Sequence, residues 1–257
     1  MNRKPGWAGC NRIELTKVDS TNEEAARQAL KGACHGTLVV AREQTAGQGR
    51  RGRSWYSPYG DNIYMSLLLR PLLAPDKASM LTLVMGLAAA RGIRRVCRLE
   101  PAIKWPNDLL VREKKVCGIL TRLQMREEVI DSLIIGVGIN VNQLDFPEEI
   151  SAAATSLRRE CGRAFERTEL IEEVMAAFED CYDRFFEAGD LSLLKQEYNE
   201  GLISRDRQVR LVTSGKEWTG EALGINDAGE LLVRRQDGVI EQVFAGEVSV
   251  RGIYGYV

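Results

Sequence analysis

The chain has 257 residues, 44% of them hydrophobic and 28% charged, so it is long enough for one larger folded domain plus a small one. Lysines and arginines number 35 against 36 acidic residues, and the net charge of −1 argues against a dedicated duplex-binding protein, which usually carries a basic excess. The six cysteines form no CxxC pair and His35 is the only histidine, which argues against a zinc site or a Cys/His nucleophilic pair.

The N-terminal residues carry no secretory leader pattern, and no apolar run in the sequence is long enough to span a bilayer. The cysteines are therefore expected to be reduced, mostly buried thiols of a cytoplasmic protein that does not associate with membranes. His35 is interpreted as a loop residue in front of a strand rather than as a catalyst.

The first predicted elements are a short strand at residues 13–18 and a helix that follows the polar sequence Ser20, Thr21 and Asn22. Capping-box spacing occurs twice here, once from Ser20 and once from Thr21, and Gly32 is a plausible helix stop. The polar residues are therefore expected to cap the helix, although a helix N-terminus can also bind a polar ligand.

A predicted strand at residues 37–41 leads into residues 44–55, QTAGQGRRGRSW, in which three glycines alternate with three arginines. We call this segment the Gly/Arg loop. Backbone N–H groups and guanidinium groups of this kind suit phosphate or carboxylate ligands. A solvated basic turn, or an Arg–Gly patch that binds RNA, remains an alternative at this point.

Further along, residues 63–69 read as a central strand, and apolar residues from Met80 repeat at helical spacing to about Arg91. The next segment, KWPNDLL, ends a strand at a proline, and its tryptophan, Trp105, is interpreted as a core residue. The strand at residues 115–121 contains Gly118, which indicates that something approaches its backbone closely.

The strand at residues 129–137 runs into GVGINVN, which is typical either of a site edge or of tight strand packing with a bulge. Residues 144–167 are polar and irregular and predict a surface excursion. Thr168 is expected to cap a helix, and a shorter helix is predicted at residues 191–198. From Arg207 onward, five short strand-like runs separated by turns predict a small β-barrel module.

Five segments at the ends of apolar elements share a polar or glycine-rich character: DSTN, QTAGQGRRGRSW, KWPNDLL, KKVCGIL and GVGINVN. In this order they closely resemble the biotin–protein ligase family. The resemblance implies an α+β fold, with a mixed-sheet catalytic domain of the biotin/lipoate ligase type at residues 1–205. A small SH3-like β-barrel is expected at residues 206–257.

The activity implied by the resemblance has two steps. The biotin carboxylate attacks the α-phosphate of ATP to give biotinyl-5′-AMP and pyrophosphate, and a lysine of a biotin carrier protein then attacks the mixed anhydride. Mg²⁺ is the implied cofactor. Because 18 residues before the first motif cannot hold a winged helix, the ligase-only type without DNA binding is expected, and a homodimer is left open.

The resemblance also assigns roles to individual residues. Lys115 and Arg50 are the implied catalytic groups, and Asp108 is the implied Mg²⁺ ligand. The residues implied to bind biotin are Ser20, Thr21, Asn22, Gln44, Gln48, Gly49, Arg50, Lys115 and Gly118. The residues implied to bind the nucleotide are Arg50, Arg51, Arg53, Trp55, Asn107 and Asn140.

One residue departs from the family pattern, because many members carry arginine at the position of Gln48. We therefore expect weaker retention of the adenylate here, and slower release in Gln48→Arg. The Gly/Arg loop is expected to be mobile when empty and to close on ligand, since glycine is costly to order.

Three alternatives to this reading stay open. They are a lipoate–protein ligase of the same fold, a nucleic-acid-binding protein that uses the Gly/Arg loop, and a non-catalytic scaffold with a degenerate site.

Overall fold

The computed structural model describes residues 6–213, 216–244 and 248–252, and its centre is a seven-stranded mixed sheet. The strands lie in the order β1-β2-β3-β7-β6-β5-β4, and only the β1–β2 pair is parallel. They are β1 (Asn11–Leu15), β2 (Thr37–Ala41), β3 (Ile63–Leu69), β4 (Ala102–Lys104), β5 (Asp108–Val111), β6 (Lys114–Arg126) and β7 (Val129–Ile139).

Helices cover both faces of this sheet, which is why every residue of β3 is buried. The helices are α1 (Thr21–Leu30), α2 (Met80–Cys97), α3 (Glu148–Ser151), α4 (Leu157–Cys161), α5 (Arg167–Ala188) and α6 (Lys195–Gly201). Alternation along β2 separates two clusters: Leu38 and Val40 face the main core with α2 and α5, whereas Val39 faces α1. Among the described residues, no helix is long and apolar enough to cross a membrane.

A second, antiparallel sheet follows, in the order β11-β10-β9-β8-β12. Its strands are β8 (Arg207–Thr213), β9 (Lys216–Ile225), β10 (Leu231–Arg234), β11 (Ile240–Val243) and β12 (Val248–Gly252). The predicted α+β fold with a small C-terminal β module is thereby confirmed. The turn predicted at 214–215 and the end of the last predicted strand lie outside the described residues.

The β module shares its core with the larger sheet rather than standing apart. Its buried Val209 and Leu231 belong to the same apolar cluster as α2 and α5. Trp105, only 2% exposed as expected of a core residue, donates from Nε1 to the carbonyl of Gly229 at 3.0 Å. The side chain of Asn199 in α6 also donates to the carbonyl of Ile225 and accepts from its N–H. The division at residues 205/206 therefore stays a prediction.

Several local predictions were wrong in their details. Residues 144–167 are not wholly irregular or exposed, because they contain the short helices α3 and α4, and residues 154–157 are buried. Thr168 does not cap α5, since this helix begins at Arg167 with Glu166 as its N-cap. The first strand lies at Asn11–Leu15 rather than at 13–18, and α6 begins at Lys195 rather than at 191.

Candidate active site

A cleft of about 460 Å³, open to solvent, lies between the start of α1, the Gly/Arg loop and the glycine-rich parts of β6 and β7. Strand ends and a helix start meet here, so short polar side chains from distant parts of the chain converge on one space. The lining residues are Ser20, Thr21, Asn22, Gln44, Gln48, Gly49, Arg50, Trp55, Tyr64, Asn107, Lys115, Gly118, Ile119, Leu120, Gly136, Val137 and Gly138.

A hydrogen-bonded network forms the inner wall of the cleft. Gln44 Oε1 accepts from the main-chain N–H of Thr21 at 2.8 Å and lies 3.1 Å from its hydroxyl. Ser66 on β3 lies 2.6 Å from Asn22 Oδ1 and 2.8 Å from the Thr21 hydroxyl. On its other side, Gln44 Nε2 donates to Ser57 Oγ at 2.9 Å. These contacts fix the direction in which each amide presents its donor and acceptor.

This network replaces the predicted helix caps. Ser20 is the N-cap residue with extended backbone, but its side chain makes no capping hydrogen bond, so the capping-box prediction was wrong. Asn22 instead donates from Nδ2 to the carbonyl of Leu120 at 3.1 Å, across the cleft. Ser20, Thr21 and Asn22 are each 3–4% exposed, so their polar groups serve the interior of the cleft.

Asp19, the first residue of the DSTN motif, anchors this wall. Both Nη atoms of Arg27 donate to its carboxylate, at 2.7 and 2.9 Å, and these hydrogen bonds lower the pKa of Asp19 to about 2. The carbonyl of Asp19 accepts from the N–H of Ala46 at 2.8 Å. One residue thus holds both the beginning of α1 and the beginning of the Gly/Arg loop.

The Gly/Arg loop folds back on itself. The N–H of Trp55 donates to the carbonyl of Gly47 at 2.9 Å, and the N–H of Gly49 donates to that of Arg53 at 2.7 Å. Arg51 has φ of 58°, in the left-handed region that non-glycine residues seldom occupy. A Cβ on Gly47 would lie 2.6 Å from the Trp55 carbonyl, so only glycine allows this closure.

Arg50 is the arginine of this loop that lines the cleft. Its Nη1 donates to Asn107 Oδ1 at 3.0 Å. Burial is the main cause that lowers the pKa of the Arg50 guanidinium from its usual value, and an arginine nevertheless stays charged at neutral pH. Arg51 and Arg53 are exposed and lie outside the cleft lining.

The indole of Trp55 rests on two glycines that face each other across β6 and β7. Gly118 pairs with Gly138, and a Cβ on either would come within 2.8 or 2.6 Å of the indole ring. A Cβ on Gly136 would lie 2.3 Å from Asn22 Oδ1. The glycines of KKVCGIL and GVGINVN therefore make room for side chains of the cleft.

Lys115 brings the second cation to the cleft. Its Nζ lies 2.7 Å from Asp108 Oδ1 and 5.1 Å from the centroid of the Trp55 ring. Asn107 Nδ2 also donates to Asp108 Oδ1, at 3.1 Å. The lysine and aspartate side chains are 23% and 15% exposed, so the ion pair is screened little by water. Asp108 thus orients Lys115, a lining residue of the cleft.

No group of three His, Cys, Asp or Glu side chains that could hold a metal ion occurs among the described residues. Asp108 fits a narrower role, because Mg²⁺ bound with substrate phosphates needs only one or two protein carboxylates.

Asn140, expected at the nucleotide, lies outside the cleft lining and is 5% exposed. Its Nδ2 donates to the carbonyl of Thr155 at 3.0 Å, which ties the end of β7 to the segment before α4. The sequence reasoning missed Tyr64 and Ser66. Their signal was present, since they are the only polar side chains in the otherwise apolar strand IYMSLLL.

Comparison with known proteins identifies the family. Residues 14–140 match the model of the biotin/lipoate A/B protein ligase family, and residues 206–251 match the biotin protein ligase C terminal domain. The chain is 39% identical over 237 residues to the bifunctional ligase/repressor BirA of Bacillus spizizenii, covering 91% of this chain and 72% of that protein. It is 31% identical to the biotin–[acetyl-CoA-carboxylase] ligase of Paracoccus denitrificans, covering 86% and 92%.

Among solved structures, the biotin protein ligase from Aquifex aeolicus in complex with biotin and ATP superposes with a TM-score of 0.83. It is 33% identical, and the match covers 95% of this chain and 99% of that one. The chain therefore belongs to the biotin/lipoate A/B protein ligase family. Its C-terminal module is of the kind found in biotin protein ligases, which confirms the resemblance seen in the motifs.

Proposed function

We propose that this protein is an ATP-dependent biotin–protein ligase, which makes biotinyl-5′-AMP and transfers the biotinyl group to a lysine of a biotin carrier protein. The observation that carries the proposal is a single cleft lined by a directional polar network, two cations and an indole ring. Relatives named as biotin ligases and a neighbour solved with biotin and ATP support the same substrates.

The two cations suit the first step. A biotin carboxylate and an ATP phosphate repel each other, and the attack on the α-phosphorus adds negative charge to the transferring group. Lys115 and Arg50 offset this repulsion and stabilise the developing charge. Pyrophosphate is the leaving group, and Mg²⁺ bound with ATP would offset its charge; Asp108, the carboxylate beside Lys115, would be the protein ligand of that ion.

No protein nucleophile is required, because the mixed anhydride is itself the activated acyl donor. In the second step the carrier lysine amine attacks the acyl carbon of biotinyl-5′-AMP, an amide bond forms, and AMP leaves with the bonding electrons. Buried thiols are unsuited to such a role: burial raises the pKa of Cys97 to about 12 and raises that of Cys117 as well.

The polar wall favours biotin over lipoate within the family. Biotin carries a cyclic urea, with one carbonyl acceptor and two N–H donors, whereas the lipoate ring has no such groups. Asn22 Nδ2 and Gln44 Nε2 each donate one N–H within the protein, to the carbonyl of Leu120 and to Ser57 Oγ, and the second N–H of each amide suits the urea carbonyl. A lipoyl ring has no polar group that could take up this remaining hydrogen-bonding capacity.

The nucleic-acid alternative finds less support, since Arg50 lines the cleft and the net charge is −1. The presence of both Lys115 and Arg50 argues against a non-catalytic scaffold with a degenerate site. Stacking of adenine on Trp55, the homodimer and the cytoplasmic location stay predictions.

Transfer of labelled biotin to a biotin-carrier domain tests the proposal. We expect Lys115→Ala and Arg50→Ala each to lose most transfer, because each removes a cation from the cleft, while Lys114→Ala, one position away on β6, serves as the matched control. Pyrophosphate release with biotin or lipoate as the only acid separates the two ligases. Unchanged transfer in both cleft variants, or faster release with lipoate, would overturn the proposal.

A further inference from the structure

Arg122 joins three parts of the fold at the rim of the cleft. It lies on β6 two residues beyond Leu120, which lines the cleft, so alternation places both on the same face of the strand. Its Nη1 donates to Glu23 Oε1 on the first turn of α1 at 2.6 Å. Its Nη2 donates to Gln48 Oε1 in the Gly/Arg loop at 2.5 Å.

The two bonds have different consequences. The ion pair with Glu23 connects β6 to a helix that already packs on β2, β3 and β7 of the same sheet, and both side chains are about one-third exposed. The bond to Gln48 instead connects the sheet to a loop that contains three glycines and is costly to order. Holding this loop therefore depends on contacts such as the one from Arg122.

The positive charge of Arg122 explains why a neutral residue, Gln48, stands opposite it. A guanidinium binds a carbonyl oxygen well, and its bond to an amide is charge-assisted. An arginine in place of Gln48 would face the guanidinium of Arg122 directly, and like charges at such a distance repel. The amide of Gln48 and the guanidinium of Arg122 are thus a matched pair, whereas the Gln48→Arg exchange alone would break it.

We infer that Arg122 is a positioning residue that latches the Gly/Arg loop over the cleft through Gln48, with Glu23 holding its guanidinium in place. Release of the latch opens the loop. The effect on the adenylate rests on the proposed function, since a loop that opens more often lets a bound intermediate escape before transfer. The effect on the loop itself does not depend on which ligand the cleft takes.

Limited trypsin digestion of the ligand-free protein tests the latch directly, because the loop carries its own cleavage sites after Arg50, Arg51 and Arg53. We expect Arg122→Ala to accelerate cleavage at these sites about fivefold, the effect of losing one partly exposed charge-assisted hydrogen bond. Arg126→Ala, an exposed residue at the end of the same strand, is the matched control. Equal cleavage rates in both variants would overturn the latch.

A charge exchange between positions 48 and 122 distinguishes loss of the latch from a general loss of stability. Contrary to the slower adenylate release expected from the sequence alone, Gln48→Arg should open the loop as Arg122→Ala does, measured as cleavage after Arg50, Arg51 and Arg53 and not at the added arginine. In a Glu23→Gln background, which removes the carboxylate that faces position 122, the Gln48→Arg/Arg122→Glu double variant should restore slow cleavage because the pair becomes attractive again. If the double variant is cleaved as fast as the worse single variant, the inference is wrong. Thermal unfolding of each variant checks that the fold is retained.

Release of labelled biotinyl-5′-AMP links the latch to the reaction. We expect release about fivefold faster in Arg122→Ala, with Arg122→Lys intermediate and with the double variant near wild type. Wild-type protein that forms no adenylate would refute the proposed function but leave the trypsin result standing. Normal adenylate formation with unchanged release in Arg122→Ala would instead refute the role of the latch.

Discussion

Gly138→Ala is expected to weaken nucleotide binding by displacing Trp55. In the structure the added methyl group would lie 2.6 Å from both Cε2 and Nε1 of the indole, and 2.9 Å from Cζ2. Carbon atoms in contact prefer a separation of about 3.5–4.0 Å. The ring must therefore retreat by about 1 Å from the platform that Gly118 and Gly138 form, since neither strand backbone can move away cheaply.

The size of the effect follows from this overlap. Overpacking of a well-packed site costs roughly 1–3 kcal/mol, and a half-buried ring in a cleft open to solvent relieves part of it by turning away. A displaced indole no longer offers its face to a purine, so we expect the Kd for ATP to rise about tenfold, equivalent to about 1.4 kcal/mol. The polar wall at Asn22 and Gln44 lies elsewhere in the cleft, and the Kd for biotin should change less than that for ATP.

Calorimetric titration with a non-hydrolysable ATP analogue in saturating biotin measures the change. Gly86→Ala is the matched control, because its added methyl group would meet only Ile119 Cδ1 at 3.7 Å, an ordinary contact. As a glycine within α2 it should instead stabilise the protein, by about 0.5–1 kcal/mol. Binding of the analogue to Gly138→Ala within twofold of wild type would refute the reasoning about the platform.

Three further outcomes are expected. Ser66→Ala leaves Asn22 Oδ1 without its donor, so the Kd for biotin should rise about tenfold in calorimetry while the fold persists; an unchanged Kd would contradict this. Burial lowers the pKa of His35, so its NMR signals should titrate below the usual value near 6.5, and stability should fall as pH drops below that value; titration at or above it would contradict this. The pKa of Asp19 is lowered to about 2, so the stability from its pair with Arg27 is present above the ordinary pKa of an aspartate and is lost as pH falls toward 2. In Asp19→Asn the urea unfolding midpoint should therefore depend less on pH over that range, and an unchanged pH dependence would contradict this.

The site could largely be located from the sequence because its parts stand at the ends of apolar elements. Strand ends and helix starts are where backbone polar groups lack partners, so short polar residues and glycines collect there. In the structure the segments around Ser20, Gly49, Lys115 and Gly138 do line one cleft. Alternation and turn residues also predicted most strands of both sheets to within a few positions, but β5 was missed because the strand was ended at Pro106, and β6 runs on to Arg126.

The helix caps show where local reasoning failed. Ser20 and Thr21 have the spacing of capping boxes, but spacing alone does not show that Gln44 and Ser66 stand opposite. Those partners satisfy the polar groups across the cleft, and the local cap is not formed. These contacts join residues 23 to 98 positions apart, so the strand order must be known before they can be foreseen.

The prediction for residues 144–167 was incomplete for a related reason. Their polar composition is typical of an exposed loop, yet the chain between α3 and α4 runs beside Lys115, whose N–H donates to the carbonyl of Ala153 at 2.8 Å. The role of Arg122 could not be predicted from the sequence either, because a single arginine in a polar stretch of strand has no local signal. Its meaning comes only from Glu23 and Gln48, which lie 99 and 74 positions away.

The bond from Trp105 to Gly229 bears on how shortened versions of this chain should be interpreted. Trp105 stands two positions before Asn107, so one short segment touches the β module at one end and the cleft at the other. Removing the module would take away the acceptor of the indole N–H and expose the apolar core that Val209 and Leu231 now share with α2 and α5, at a cost of about 25 cal/mol per Å² of apolar surface. A truncated chain that fails to transfer biotin therefore reports a disturbed catalytic domain, and any contact between the module and a carrier protein has to be probed with single surface substitutions.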